Sequence, residues 1–320
     1  MSSPPSSSVP SSSPAGPVPG RRRLRAALAD HWGLSDPEVS ALPGGMNSIT
    51  WRVVHGGRVW VAKAVPDGPG VGCFRYGLDL AARVEAAVGV PTGTPVPAGD
   101  GRHTVPVSGH RLALLRWVSG RELTGRGPAE HALLGATLGR VHRALGTERV
   151  TATAAGARFD LLAGLADTAV LTVRRWLRPA VEAAVERLLA LRPETLTWGP
   201  VHGDPAPEHF RLDPATGRCG LIDWGAAGSW VRLYDLATVV MDAGGPERAR
   251  PLLAAYLRAG ALTPGEVDRG LVPLLDFRYA VNALYYADRI LRADHTGLTD
   301  PTGNEERLAD ARRWLHRSAR

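Results

Sequence analysis

Lysine is nearly missing from this 320-residue chain: of 38 Lys and Arg residues, one, Lys63, is a lysine. Cysteine is almost as scarce. Cys73 and Cys219 are too few for a disulfide framework, so they read as small filler side chains in a reducing setting such as the cytoplasm. No run approaches the ~18 consecutive apolar residues that a membrane span requires, and no membrane partner is expected. A positively charged stretch leading into an apolar core is also missing from the start of the chain, where the arginines come after a polar stretch, so no targeting signal is read.

What is present is charge of one kind. The formal net charge is +7 and nearly all of it comes from arginine. Basic and aromatic residues do not interleave along any one element and no nucleic-acid motif is recognisable, so nucleic acid is not an expected partner. The length is enough for a sizeable core, more comfortably as two lobes than as one.

Residues 2–20 are Ser, Pro, Gly, Ala and Val without charge, which predicts a disordered tail. Apolar residues at helical spacing predict a helix over 21–32, with Gly33 as its stop. The period then changes to that of strands at 39–42, 49–54 and 59–65, punctuated by Gly44-Gly45 and Gly56-Gly57. The second pair suits a hairpin turn. The first opens Gly44-Gly45-Met46-Asn47-Ser48, which could cover phosphates with backbone N–H groups. Lys63 lies inside the third strand. In a chain that uses arginine elsewhere, an isolated lysine in an apolar strand suggests a need for a compact ammonium. A helix over 74–88 follows, then a Pro-rich loop at Pro91, Pro95 and Pro97, and a hairpin of 104–107 with 111–118. Beyond a Ser119-Gly120 hinge the pattern is mainly helical: 131–145, 168–191 interrupted by Pro179, a helix opening at Tyr234, 251–262 and 271–292. Residues 293–304 read as loop and 307–320 as a basic helix or frayed tail.

The stretch from Val201 to Trp224 organises the rest. His202-Gly203-Asp204 forms a polar-tipped turn, 210–212 and 219–222 read as two strands, and the turn at 213–217 joins them. This hairpin carries the chain out from Asp204 and back to Asp223, so two carboxylates distant in sequence are expected to be neighbours. Phosphoryl transfer suits such a pair, one Asp accepting a hydroxyl proton and the other holding magnesium on the nucleotide phosphates.

His202-Gly203-Asp204 together with Ile222-Asp223-Trp224 resembles the catalytic and metal-binding segments of the aminoglycoside phosphotransferase and choline kinase superfamily, relatives of the protein kinases. The resemblance covers roughly residues 39–290 and implies an α+β, bilobal, protein-kinase-like fold. The implied organisation is a tail over 1–20, an N-terminal nucleotide-binding lobe over 21–118, and a C-terminal catalytic and acceptor lobe over 119–320. It implies that Asp204 is the catalytic base, Asp223 a Mg2+ ligand and Lys63 the residue holding the α- and β-phosphates of ATP. Glu85 is expected to pair with Lys63, Ser48 to lie in the phosphate-covering loop, and Arg116 and Val118 to present backbone groups to the adenine edge. Asp235, in Tyr234-Asp235-Leu236-Ala237, is expected to brace the catalytic loop. His142 ends a Leu-Gly-x-x-Leu-x-x-x-His helix and reads as a core residue.

One position departs from the pattern. Five residues after Asp204 the family has an Asn as second metal ligand, and this chain has His209, preceded by Glu208. Hard cations prefer oxygen, so either Glu208 takes over or magnesium handling is altered. The expected function is an ATP-dependent O-phosphotransferase acting on the hydroxyl of a small molecule. The alternative, motivated by His209, is a nucleotide-binding pseudokinase. Acceptor-site candidates on the last long helix are Asp276, Asn282, Tyr285, Tyr286 and Asp288. The positive net charge disfavours a polycationic aminoglycoside, because long-range steering would be repulsive. Neither the acceptor nor the oligomeric state is specified by the sequence.

Overall fold

The computed structural model describes residues 19–42, 48–163, 165, 169–298 and 300–318. The expected tail and the Gly44–Asn47 part of the phosphate-covering loop fall outside them, apart from residues 19 and 20. Helix α1 (Arg21–Trp32) ends at Gly33, whose φ of +67° supplies the left-handed stop. Strands β1 (Glu38–Leu42), β2 (Ile49–His55) and β3 (Arg58–Pro66) follow, then helix α2 (Gly70–Val88), β4 (Val105–Val107) and β5 (His110–Arg116). They build one antiparallel sheet of order β1-β2-β3-β5-β4. The β2–β3 turn is the Gly56-Gly57 pair, both at positive φ, as the hairpin reading expected.

The pleat sorts this sheet's residues onto two faces. Ala62, Ala64, Leu112 and Leu114 pack with Leu24 and Leu28 of α1. Val65 and Ala113 alternate with them and pack instead on Phe74 and Leu78 of α2. Lys63 stands directly opposite Ala113 and therefore shares the α2 face. Its burial follows from the strand period.

The second region is mainly helical: α3 (Gly127–Leu145), α4 (Ala152–Phe159), α5 (Leu177–Ala190), α6 (Arg232–Asp242), α7 (Arg250–Arg258), α8 (Pro264–Leu291) and α9 (Gly303–Ser318). Two small antiparallel pieces are set among them. Strands β6 (Arg121–Glu122), β8 (Phe210–Leu212) and β9 (Cys219–Leu221) form one, and β7 (Trp198–Val201) with β10 (Gly228–Val231) forms the other. The fold is thus the expected α+β, bilobal, protein-kinase-like one. Among the described residues no helix is long and apolar enough to cross a membrane. Cys73 and Cys219 are free thiols.

Several boundaries differ from the sequence reading. α2 starts four residues before the expected Phe74. β5 stops at Arg116, so Trp117 and Val118 leave the strand. The helix expected over 168–191 is a short 3-10 turn at Ala169–Thr172 followed by α5, which starts two residues before Pro179 and so accommodates it in its first turn. α8 begins seven residues before the expected 271. Thr263 caps it by accepting from the Glu266 amide, and Pro273 lies inside it because burial on both sides outweighs one missing hydrogen bond. α9 is an ordered helix rather than a frayed tail. It buries Leu308, Ala311 and Leu315 in the same cluster as Ala280, Leu284 and Ala287 of α8.

Candidate active site

Asp235, near the start of α6, is fully buried and holds the loop after β7. Its Oδ2 accepts from the His202 amide at 2.7 Å and its Oδ1 from the Gly203 amide at 2.9 Å. Burial alone would push this carboxyl up, but His142 at 3.0 Å and these amides leave it below its ordinary value. A carboxylate can only accept, so His142 donates from Nε2, and its Nδ1 accepts from the Tyr256 hydroxyl at 2.7 Å. Burial lowers the His142 pKa, which agrees with this neutral tautomer. Asp235 therefore braces the loop as its sequence context suggested, and His142 is a core residue.

His202 repeats the pattern one layer up. Nε2 donates to the Ile222 carbonyl at 2.9 Å, and Nδ1 accepts from the Asp204 amide at 3.3 Å. Burial keeps this ring neutral as well. Gly203 between them has φ +88° and lies against the Ala226 carbonyl, a place no Cβ can enter. The buried His202 thus ties the Asp204 turn to the strand end that carries Asp223.

Asp223 follows β9 in the left-handed region at φ +66°, and its Oδ1 meets Lys63 Nζ at 2.5 Å. Burial opposes the Asp223 charge, yet Lys63, His209 and His202 together hold the carboxyl well below the usual range. Its Oδ2 faces His209 Nε2 at 3.8 Å, too far for a hydrogen bond. His209 Nδ1 donates to the Asp204 carbonyl at 2.8 Å. Lys63, Asp223, His209 and Asp204 are therefore one contiguous group built from β3, the end of β9 and the loop between β7 and β8.

The side chain of Asp204 is 45% exposed and its Oδ1 accepts from Arg278 Nη2 at 2.9 Å. Arg278, from the middle of α8, is clamped by Thr238 Oγ1 at 3.0 Å, by Asn282, and by the Tyr234 ring beneath its guanidinium. Asp242 ends α6 on the same side. Burial pushes its carboxyl up to about 7, and Asp204 and Glu208 add to that rise against Arg278. No hydrogen bond or ion pair to its carboxylate is present among the described residues.

The remaining expected site residues fall out as follows. Glu85 does not pair with Lys63. It sits on the last turn of α2 and accepts from the Thr92 amide at 3.0 Å and hydroxyl at 3.1 Å, fixing the loop after the helix, while Lys63 takes Asp223. Where α2 meets the residue after Asp223 it carries Gly77, whose missing side chain lets the helix touch the Trp224 carbonyl. Glu208 is exposed and does not join Asp223 and His209 around one position among the described residues, so the residue beside Asp223 is His209. Ser48 directly precedes β2, and Val118 packs near Gly93 and Gly220 where the two regions meet. The Arg116 amide donates to Thr94 O at 3.0 Å. Of the acceptor candidates, Asn282 and Tyr286 lie around Arg278. Asp276 is consumed by Arg187 and Trp314, Asp288 pairs with Arg292, and Tyr285 carries the Arg289 guanidinium. Arg278 and Asp242 were not singled out in the sequence. The Arg278–Asn282 spacing of one helical turn was visible there, but its partner Asp204 lies 74 positions away.

Asp223 Oδ2 and His209 Nε2 are placed to share a divalent ion. With metal bonds of about 2.0–2.2 Å each, two ligands 3.8 Å apart can meet one ion. Among the described residues no three His, Cys, Asp or Glu side chains converge on a metal position, so further ligands have to come from phosphate oxygens and water.

The signature of the phosphotransferase enzyme family (APH) matches residues 38–270, from β1 into α8. The chain belongs to that family. Among proteins similar to this phosphotransferase-family member is a homoserine kinase of Acidiphilium cryptum (strain JF-5), 30% identical over 195 residues. That match covers 57% of this chain and 60% of the relative, less than two thirds of its length. Similar solved structures include a microcompartment-associated aminopropanol kinase, with TM-score 0.67 and 17% identity over 91% of this chain and 94% of that one. A choline/ethanolamine kinase family protein from Mesorhizobium loti has TM-score 0.65 and 20% identity, covering 92% and 94%. At such identities the two structures speak for the fold.

Proposed function

We propose that this family member is an ATP-dependent O-phosphotransferase whose acceptor is a small alcohol carrying an amino group. The observation that carries the reading is the Lys63–Asp223 pair joined through His209 to the half-exposed Asp204. In this reading Lys63 holds the nucleotide phosphates, and Asp223 with His209 holds the accompanying divalent cation, Mg2+ in the expected case. When bound, that ion supplies charge neutralisation on the phosphates.

Arg278 fixes Oδ1 of Asp204 and leaves Oδ2 to accept a hydrogen bond from the acceptor hydroxyl. As the hydroxyl oxygen attacks the γ-phosphorus, its proton passes to Asp204 and the bond to the ADP leaving group breaks. Asp242 supports an amine on the acceptor. Among the described residues this carboxyl beside the base has no hydrogen-bond or ion-pair partner, and an ammonium would offset the burial that raises its pKa. The relatives are named for homoserine, aminopropanol and choline or ethanolamine, all nitrogen-bearing alcohols. A singly charged acceptor is also repelled less by a +7 protein than a polycationic aminoglycoside is. ATP as donor is in keeping with a cytoplasmic setting.

The test is transfer of the γ-phosphoryl group from ATP to a panel of amino alcohols and their amine-free counterparts. Phosphorylation confined to the amine-bearing members is the expected result. Transfer equally efficient to the amine-free members would refute the Asp242 assignment. A second reading, a pseudokinase that binds nucleotide without transferring, draws on the Asp204–Arg278 ion pair and on His209. It predicts nucleotide binding with no product from any acceptor.

A further inference from the structure

The hydrogen bonding of His209 assigns its proton. Nδ1 faces a backbone carbonyl, which can only accept, so Nδ1 carries the hydrogen and the neutral ring presents a lone pair at Nε2. That lone pair makes no hydrogen bond among the described residues, and it faces the oxygen of Asp223 that Lys63 leaves open. A ring held at one nitrogen by a carbonyl and open at the other toward a carboxylate has the arrangement of a ligating histidine. The backbone that carries the ring is also held from both sides. The His209 amide donates to the Ala206 carbonyl, and the Ile222 amide donates to the His209 carbonyl, each at 2.9 Å.

We infer that His209 Nε2 and Asp223 Oδ2 form a mixed nitrogen–oxygen seat that makes this protein favour Mn2+ over Mg2+ as the ion accompanying its nucleotide. Mg2+ is hard, strongly hydrated and selects oxygen, whereas imidazole is a better ligand for first-row transition ions. Exchange of an amide oxygen for imidazole at this position therefore shifts selectivity without removing the site. Glu208, the oxygen alternative, does not converge with Asp223 and His209 on one position among the described residues. The inference rests on the nucleotide-binding part of the proposed function.

The experiment is calorimetric titration of ADP into the full chain with Mn2+ or with Mg2+, for the wild type and His209→Asn. Comparing the two proteins cancels the different intrinsic affinities of the ions for ADP. The ratio of Mn2+-supported to Mg2+-supported affinity is expected to fall about tenfold in the variant. Electron spin-echo modulation from a ligating 14N nucleus is expected on Mn2+ in the wild type and not in the variant. Unchanged ratios with no nitrogen modulation, while ADP still binds, would overturn the metal preference and leave the phosphotransferase reading standing. No ADP binding with either ion would overturn both.

Discussion

The underside and the upper surface of the loop that carries Asp204 use the same residue types to opposite ends. Below, Asp235, His142 and His202 are fully buried, and each offers its polar atoms to a matched partner: two backbone amides, a tyrosine hydroxyl, a backbone carbonyl. Above, Asp204, Asp223, His209 and Asp242 each keep an oxygen or nitrogen open. Saturated valences mark the part that carries the loop, because an unmet buried donor or acceptor is costly. Open valences mark the part left for ligands. A His or Asp is thus assigned to structure or chemistry by its unmet bonding capacity and not by its type.

Breaking the lower set should cost the most. Asp235→Ala removes the acceptor of two amides and one imidazole, and should destabilise the protein by about 3–5 kcal/mol, as for a broken buried pair. Chemical denaturation measures this, and a variant as stable as the wild type would place the brace elsewhere. On the upper set, Arg278→Gln should cost less, about 1–3 kcal/mol for the lost charged hydrogen bonds, and should free the Asp204 carboxylate to rotate. Turnover should then drop by about a hundredfold with nucleotide affinity retained. A matching loss of nucleotide affinity would show that Arg278 serves the phosphates instead.

The smallest effect separates the two sets by pH. A carboxyl raised from 3.8 to about 7 holds a proton in the folded state that the unfolded chain has already released. Stability therefore falls as pH rises between those values. Asp242→Asn should flatten that slope in thermal melts of the ligand-free protein and should weaken an amine-bearing acceptor by about tenfold or more. An unaltered slope would remove Asp242 from the open set.

Much of the upper set could be read from the chain because local rules dictate it. Lys63 stood out as the lone lysine in an apolar strand, and the hairpin between Asp204 and Asp223 implied their proximity. The failures share a cause. Glu85 was placed by helix spacing and by the family resemblance, neither of which says how far along α2 the cleft lies, and the helix began earlier than expected. Glu208 and His209 were both left open as replacements for the Asn, because ligand chemistry alone does not say which one the short 3-10 turn at Pro207–His209 sets beside Asp223. Arg278 and Asp242 act through partners on other elements, and such packing leaves no periodic trace. For α9 the sequence left a basic helix and a frayed tail both open because charged residues outnumber buried ones, and three apolar residues suffice to seat it as a helix.

The most direct measurement is single-turnover phosphoryl transfer by Asp204→Asn, with ADP affinity determined on the same preparation. The account predicts that affinity stays within about twofold, since a surface carboxylate to amide change perturbs little. Transfer should fall by about 10²–10⁴-fold, the share of a general base. Full transfer by the variant would contradict the assignment of Asp204 and with it the mechanism built on this loop.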